Sequence, residues 1–363
     1  MNFNKLALPV LIALVYAPTQ VMADSATPVP TINNLTIFAK TYITAGASSV
    51  VKGDLISGDV LTIGDSARVD GTIMSVGASN VGGGTASVGV NMVSGGVATV
   101  GAGGIIGGNL TSSGAATIGA NAIVRGNMTS GGIATTGDSA AVTGRINSGG
   151  YASIGANSQV TGSVYGVGAT VIGAGGTTGP LGLLSSSPVT PSPTSYTASL
   201  VSAVSSVASQ VSNKQNYYSA KGAGQSLGTT MPTSMTLTAT GGSVFSAANF
   251  TTTAGMTLTL DDQGVQHDWI FNIADYLVTG ASTTVVIANS PGGSTVTWNV
   301  GNGYAALGAT NNFLGAILAN QYISVGANTT VRAINSSCGI YSAASYVSTG
   351  AGAVVEGNCN NPH

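Results

Sequence analysis

Only nine Lys/Arg and eleven Asp/Glu occur in 363 residues, and the formal net charge is −2. That balance gives no basic footprint for nucleic acid or an anionic membrane. A 43% hydrophobic content with so little charge also argues against a disordered chain. Glycine, at 54 residues, is about twice its usual share, and small and β-branched residues fill much of the remainder, as in an ordered β-rich protein.

Residues 1–23 read as a secretory signal peptide, with Lys5, an apolar run from Leu6 to Ala17, and Val21-Met22-Ala23 at the cleavage site. The run is too short to span a bilayer, and no later stretch is long and apolar enough. The mature chain is therefore expected outside the cytoplasm, secreted, periplasmic or at the cell surface, and not integral to a membrane. In that setting Cys338 and Cys359, the two cysteines, are expected to form a disulfide.

From residue 24 to 180 a glycine returns every 18 residues, with one step of 19: Gly46, Gly64, Gly82, Gly101, Gly119, Gly137, Gly155 and Gly173. A second glycine follows each of the first seven by seven residues, from Gly53 to Gly162. A fixed period near 20 means one solenoid coil per repeat. Numbered from the first glycine, positions 6, 10 and 18 are apolar, as in Val51, Leu55 and Ile63 or Val124, Met128 and Ile118. Three inward anchors per coil predict a triangular β-helix, with the glycines at corners that need positive φ or close backbone approach.

Alternation along each strand then gives the outward columns. Lys52, Arg68, Asp70 and Arg125 lie around the first corner, and Asp54, Asn109, Asn127 and Arg145 on the next face, so both are expected to be solvated. The third face is different. Position 17 reads Thr62, Asn80, Thr99, Thr117, Thr135 and Ser153, beside a position 15 column of Val60, Ala78, Val97, Ala115, Ile133 and Tyr151. Neither column contains a charge. An uncharged, partly apolar strip of that length suits surface recognition, although threonine is also simply a good exposed strand residue.

Residues 181–199 are Ser/Pro-rich linker chemistry. Residues 200–220 carry a helical stripe of Leu200, Val204, Val207, Ala208 and Val211, expected to dock along the side of the solenoid. Residues 221–363 return to strand alternation and then to the coil register at Gly308, Gly326 and Gly350, with the outward pairs Tyr304/Ala306, Tyr322/Ser324 and Tyr346/Ser348. The expected fold is mostly β: a β-solenoid of about 18 residues per coil, interrupted by one long helix. A solenoid must cap its ends or polymerise through them. The 33–43 segment and the Cys338–Cys359 region are the candidate caps.

Trp269-Ile270-Phe271-Asn272-Ile273, Thr283 to Ile287, Val296 to Gly301, Phe313 to Ala319 and Ile323 to Ala327 together resemble the bacterial and fungal ice-binding protein family. The resemblance covers residues 235–357 and the helix before them. It implies an irregular β-solenoid with a helix alongside. The regular N-terminal coils instead resemble the bactofilin type of β-helix, for which self-assembly or adhesion is the implied use.

No Gly-x-Ser-x-Gly elbow, zinc-binding His-Glu-x-x-His or P-loop occurs. His267 beside Asp268 reads as a turn histidine, and Asp261-Asp262-Gln263-Gly264 as a turn rather than a calcium loop. Lys52, Asp70 and Arg125 share a column but not neighbouring coils. No enzyme, metal or cofactor is expected. The resulting expectation is an exported protein that adsorbs to ice through Thr62, Asn80, Val97, Thr99, Ala115, Thr117, Ile133, Thr135 and Ser153, with Ser324 and Ser348 continuing the strip. The alternative is a structural or adhesive surface protein that joins copies of itself, or cell-surface components, through its faces or ends.

Overall fold

A computed structural model describes residues 35–184, 186–189, 192–334 and 339–357. The segment expected to be a signal peptide and the two cysteines expected to form a disulfide lie outside these residues. Among the described residues the strands form one 27-stranded and one 14-stranded sheet, and every strand pairing is parallel between successive coils. The larger sheet covers two faces of the triangular rod. Two long strands, Val244–Thr252 and Asp268–Val278, run from one of these faces onto the next and join them.

The expected inward anchors are inward. Val51, Leu55, Ile63, Val124, Met128 and Ile118 are all buried, and residues from both halves of the chain share one continuous core. In the C-terminal half the core is aromatic. Trp298 stacks on Phe271 with ring centroids 4.1 Å apart, lies 5.0 Å from Phe313, and donates its indole N–H to the Leu314 carbonyl at 3.0 Å.

The order of coils along the rod is not the order along the chain. The strand Ile43–Ala45 pairs on one edge with Leu61–Ile63 and on the other with Val347–Thr349. Likewise Val50–Lys52 lies between Arg68–Val69 and Val354–Glu356. The first described coil and the last therefore meet in mid-rod, and the tips are formed by residues 170–183 and 225–238. This corrects the expectation that the 33–43 segment and the C-terminal region cap the ends: their described residues form internal coils.

Charge clamps the junction. Glu356 accepts from Lys52 Nζ at 2.6 Å and from Arg332 Nε at 2.9 Å, so three successive coils are cross-linked. The hydrogen bond from Lys52, joined by that from Arg332, holds the Glu356 carboxyl below the usual carboxylate range. A depressed pKa contributes stability that is present above the unfolded-state value of 4.5 and lost as pH falls through the folded value. Both basic partners are half exposed, so the effect is at most about 1 kcal/mol. Glu356→Gln is expected to lower the melting temperature slightly at about pH 7, and the difference is expected to shrink as pH falls below 4.5, which a calorimetric pH series would show.

The helix spans Pro193–Ser219, starting earlier than the expected 200–220 because Ser192 caps it and Pro193 occupies its first turn. Its 27 residues make it about 40 Å long. It runs from Gly131, against which Pro193 packs, to Asn272, whose side-chain amide donates to the Tyr218 carbonyl. Leu200, Val204, Val207 and Val211 pack on Ile56, Met74, Val93, Phe38, Leu318 and Tyr341. The helix therefore covers part of a face that was expected to be solvated. Ile56, Met74 and Val93 carry the apolar patch it needs. On the same face Asp54, Asn91, Asn109 and Asn127 are only half exposed, and their side-chain oxygens accept backbone N–H groups 18 residues on, at 2.7–3.0 Å. Burial pushes the Asp54 carboxyl above its usual range, against the opposing effect of the Thr72 N–H.

Candidate functional site

The face left free of both helix and charge is the one that carries the threonine column. Register pairings place Thr230, Thr251, Val278, Ala306, Ser324, Ser348, Thr44, Thr62, Asn80, Thr99, Thr117, Thr135, Ser153 and Val171 in one line across fourteen successive coils. At the inter-strand spacing this line is about 60 Å long. All the expected position 17 residues fall in it, and Ser324 and Ser348 join them through Thr44. Thr44 was missed because the repeat was counted from Gly46. The signal was present, since Ile43-Thr44-Ala45-Gly46 has the same form as Leu61-Thr62-Ile63-Gly64.

The central threonines are half exposed, while the residues flanking each are buried: Ala98 and Val100 around Thr99, Ala116 and Ile118 around Thr117. Each strand thus presents one small polar side chain and anchors its other two in the core. The position 15 residues Val97, Ala115 and Ile133 lie beside them, with Val97 45% exposed despite its apolar side chain.

Both edges of this face are pinned. At one corner, Ser57, Ser75, Ser94, Ser112, Ser130 and Ser148 form an internal ladder, each fully buried. Ser94 Oγ lies 3.0 Å from the Val97 carbonyl, Ser112 Oγ 2.9 Å from that of Ala115, and Ser148 Oγ 2.9 Å from that of Tyr151. These hydroxyls fix the residues that begin the threonine strands. At the opposite corner the first glycine of each coil lets the backbones meet. A Cβ on Gly137 would lie 2.6 Å from Ala120 N, and one on Gly119 would lie 2.7 Å from Ala102 N. Positive φ falls instead two residues later, at Ser48, Ser66, Asn121, Ser139 and Asn157. Of the two roles expected for the first glycine, close approach is the one it serves.

In the C-terminal half, tyrosines replace the small residues beside the column. Tyr276, Tyr304, Tyr322, Tyr346 and Tyr42 stack in sequence with ring centroids 5.7, 4.6, 5.1 and 4.6 Å apart. Burial and the neighbouring Tyr304 and Tyr346 push the Tyr322 phenol above its usual value, which keeps it neutral. From Thr62 to Thr135 the residues beside the column are small or aliphatic, whereas Tyr151, 46% exposed, stands beside Ser153.

The other sequence candidates are structural. Asp262 is fully buried and accepts from Trp269 Nε1 at 2.8 Å and Ser294 Oγ at 2.6 Å, whereas Asp261 accepts from the Gln263 N–H within the turn. His267 meets the Trp269 ring edge-on, and Asp268 accepts from Thr295. Lys52 and Asp70 pair with Glu356 and Arg68 respectively. Among the described residues, no three His, Cys, Asp or Glu side chains gather as a metal site, and no helix is long and apolar enough to cross a membrane.

The described residues thus form a β-solenoid with one long uncharged wall. Residues 128–335 match the family described as ice-binding-like. That is more than half of the chain, which therefore belongs to this family. No curated protein matches. Among solved structures, an ice-binding protein from the Antarctic ascomycete Antarctomyces psychrotrophicus is 20% identical with a TM-score of 0.35, the match covering 60% of this chain and 94% of that one. An ice-binding protein from an Antarctic bacterium, Flavobacteriaceae, is 14% identical with a TM-score of 0.29, covering 90% and 97%.

Proposed function

We propose that this protein is exported and binds ice through the threonine face, with the coils from Thr62 to Ser153 as the working surface. The observation that carries the reading is the straight uncharged column of small hydroxyl, amide and methyl groups on rigid strands. Methyl groups of Thr, Val and Ala favour cage-like water, while the hydroxyls and backbone groups hydrogen-bond to it. Because the core and both corners already hold these side chains in place, little ordering is lost on adsorption. Each coil adds one row of contacts, so affinity accumulates along the rod. The helix-covered face and the face bearing Lys52, Arg68, Asp70, Arg332 and Glu356 lack this combination.

The test is thermal hysteresis, together with the shape of single ice crystals grown in the purified mature chain. Faceted crystals and a gap between melting and growth temperatures are expected. Disc-shaped crystals and no gap would reject the proposal. The working rows contain no group that titrates near neutrality, so the activity is expected to be flat from about pH 5 to 9, measured by the same assay in matched buffers.

A further inference from the structure

The two ends of the rod are built differently. At the N-terminal-half tip, three strands, Thr170–Ile172, Thr177–Thr178 and Leu181–Leu183, each pair on one side only among the described residues, with the coil before them. The inward columns lose their cover there. Ile154 is 2% exposed and its successor Ile172 38%; Val164 is 0% exposed and its successor Leu181 53%. Leu183 reaches 72% and Val171 59%. Five of the twelve exposed large hydrophobic residues among those described lie between Val167 and Leu183.

Open sheet edges in soluble proteins are usually blunted by charge, an in-strand proline or a bulge. Among the described residues none of these protects the three tip strands, and no charged residue occurs between Arg145 and Lys214. The opposite tip also ends in strands paired on one side only among the described residues, Gln225–Ser226, Thr230–Met231 and Met235–Thr238, but it is polar: Leu227 and Met231 are 6% and 1% exposed, and the outward residues there are Ser226, Thr229, Thr230, Pro232 and Thr233.

We infer that the open tip is the contact between two copies of this chain, meeting tip to tip about a two-fold axis. A backbone edge of unpaired N–H and C=O groups is matched by another strand edge. An apolar edge is matched by one equally apolar, and the only such edge among the described residues is the same tip of a second molecule. A head-to-tail filament would set Leu181 and Leu183 against the polar opposite end. With the axis through Thr177–Thr178, that two-residue strand pairs antiparallel with its own counterpart. Thr170–Ile172 then meets the other copy's Leu181–Leu183, so strand lengths match. Contacts of this kind that use one patch on both subunits close at two copies. The interface is only one coil across, so association is expected in roughly the micromolar range rather than below it. The inference is independent of the ice reading.

The test is sedimentation equilibrium with small-angle scattering on the mature chain up to about 200 µM. The expected result is a monomer–dimer equilibrium whose dimer is about 130 Å long, twice the single rod. Leu181→Lys with Leu183→Lys is expected to be monomeric throughout with an unchanged melting temperature. Val171→Lys, on an exposed outward position, provides the same reading should the double variant fold poorly. A parent that stays monomeric, a parent that forms species longer than two rods, or lysine variants that still dimerise would each overturn the inference.

Discussion

Replacing Thr117 and Thr135 together by tyrosine is expected to reduce thermal hysteresis and ice shaping to background while leaving the fold intact. The two residues occupy adjacent rungs in the middle of the small-residue stretch, with Thr99 before them and Ser153 after. A tyrosine ring at either of these positions would rise above the small side chains of the adjacent rungs. Two in succession would hold the neighbouring rows away from the lattice as well. The loss exceeds two rows because a rigid face cannot bend to restore contact. Both side chains point outward and are half exposed, and substitutions at such sites usually change stability by no more than about 0.5 kcal/mol. The matched control places the same bulk on another face, as Arg125→Tyr with Gln159→Tyr, both exposed, Gln159 in the other sheet and Arg125 just after its strand Ile123–Val124. That control is expected to shape ice like the parent. If the threonine double variant shapes crystals normally and the control does not, the working face has been assigned to the wrong side of the rod.

What the sequence made legible was whatever repeats within one coil. The glycine period, the three inward anchors and the threonine column all follow from side chains recurring at fixed positions, because parallel stacking turns each position into a column. Adjacency between coils is different. Leu35–Ala39 pairs with Asp54–Ser57 on one edge and Ile340–Ser342 on the other, and a strand's composition does not say which coil lies on either edge. The covered face was readable in part. Its outward residues are Ile56, Met74 and Val93 where the helix lies, then Thr111 and Thr129 in the coils that follow. That change marks the helix docking site, and reading only the polar members of the column hides it. The serine ladder was obscured for a related reason: six hydroxyls at one position look like a surface column, yet their corner turns them inward to carbonyl groups. Of the candidate site, the row itself was visible, and its continuation through Thr44 into the C-terminal coils needed the junction.

The second large effect separates stability from recognition. Trp298→Ala is expected to destabilise the fold by about 3–5 kcal/mol, the range for removing a fully buried aromatic side chain. Trp298 is completely buried and touches three aromatic rings, Phe271, Phe250 and Phe313, across adjacent coils. Its removal also leaves the Leu314 carbonyl without its indole donor. Collapse into the cavity is restricted because each neighbouring strand is held in register on both sides, as Thr295–Val300 is between Asp268–Val278 and Ala316–Ala319. In a solenoid the stabilities of coils combine through nearest-neighbour interfaces, so the damage is concentrated in the C-terminal half. Thr117 lies seven rungs from the coil of Trp298, about 34 Å along the rod. The folded fraction of Trp298→Ala at ice temperature is therefore expected to shape crystals like the parent, while its denaturant midpoint falls sharply. Thr117→Tyr with Thr135→Tyr is expected to show the reverse pattern. Equal loss of stability and activity in both variants would mean that the rod behaves as one cooperative unit, and that the face cannot be probed separately from the core beneath it.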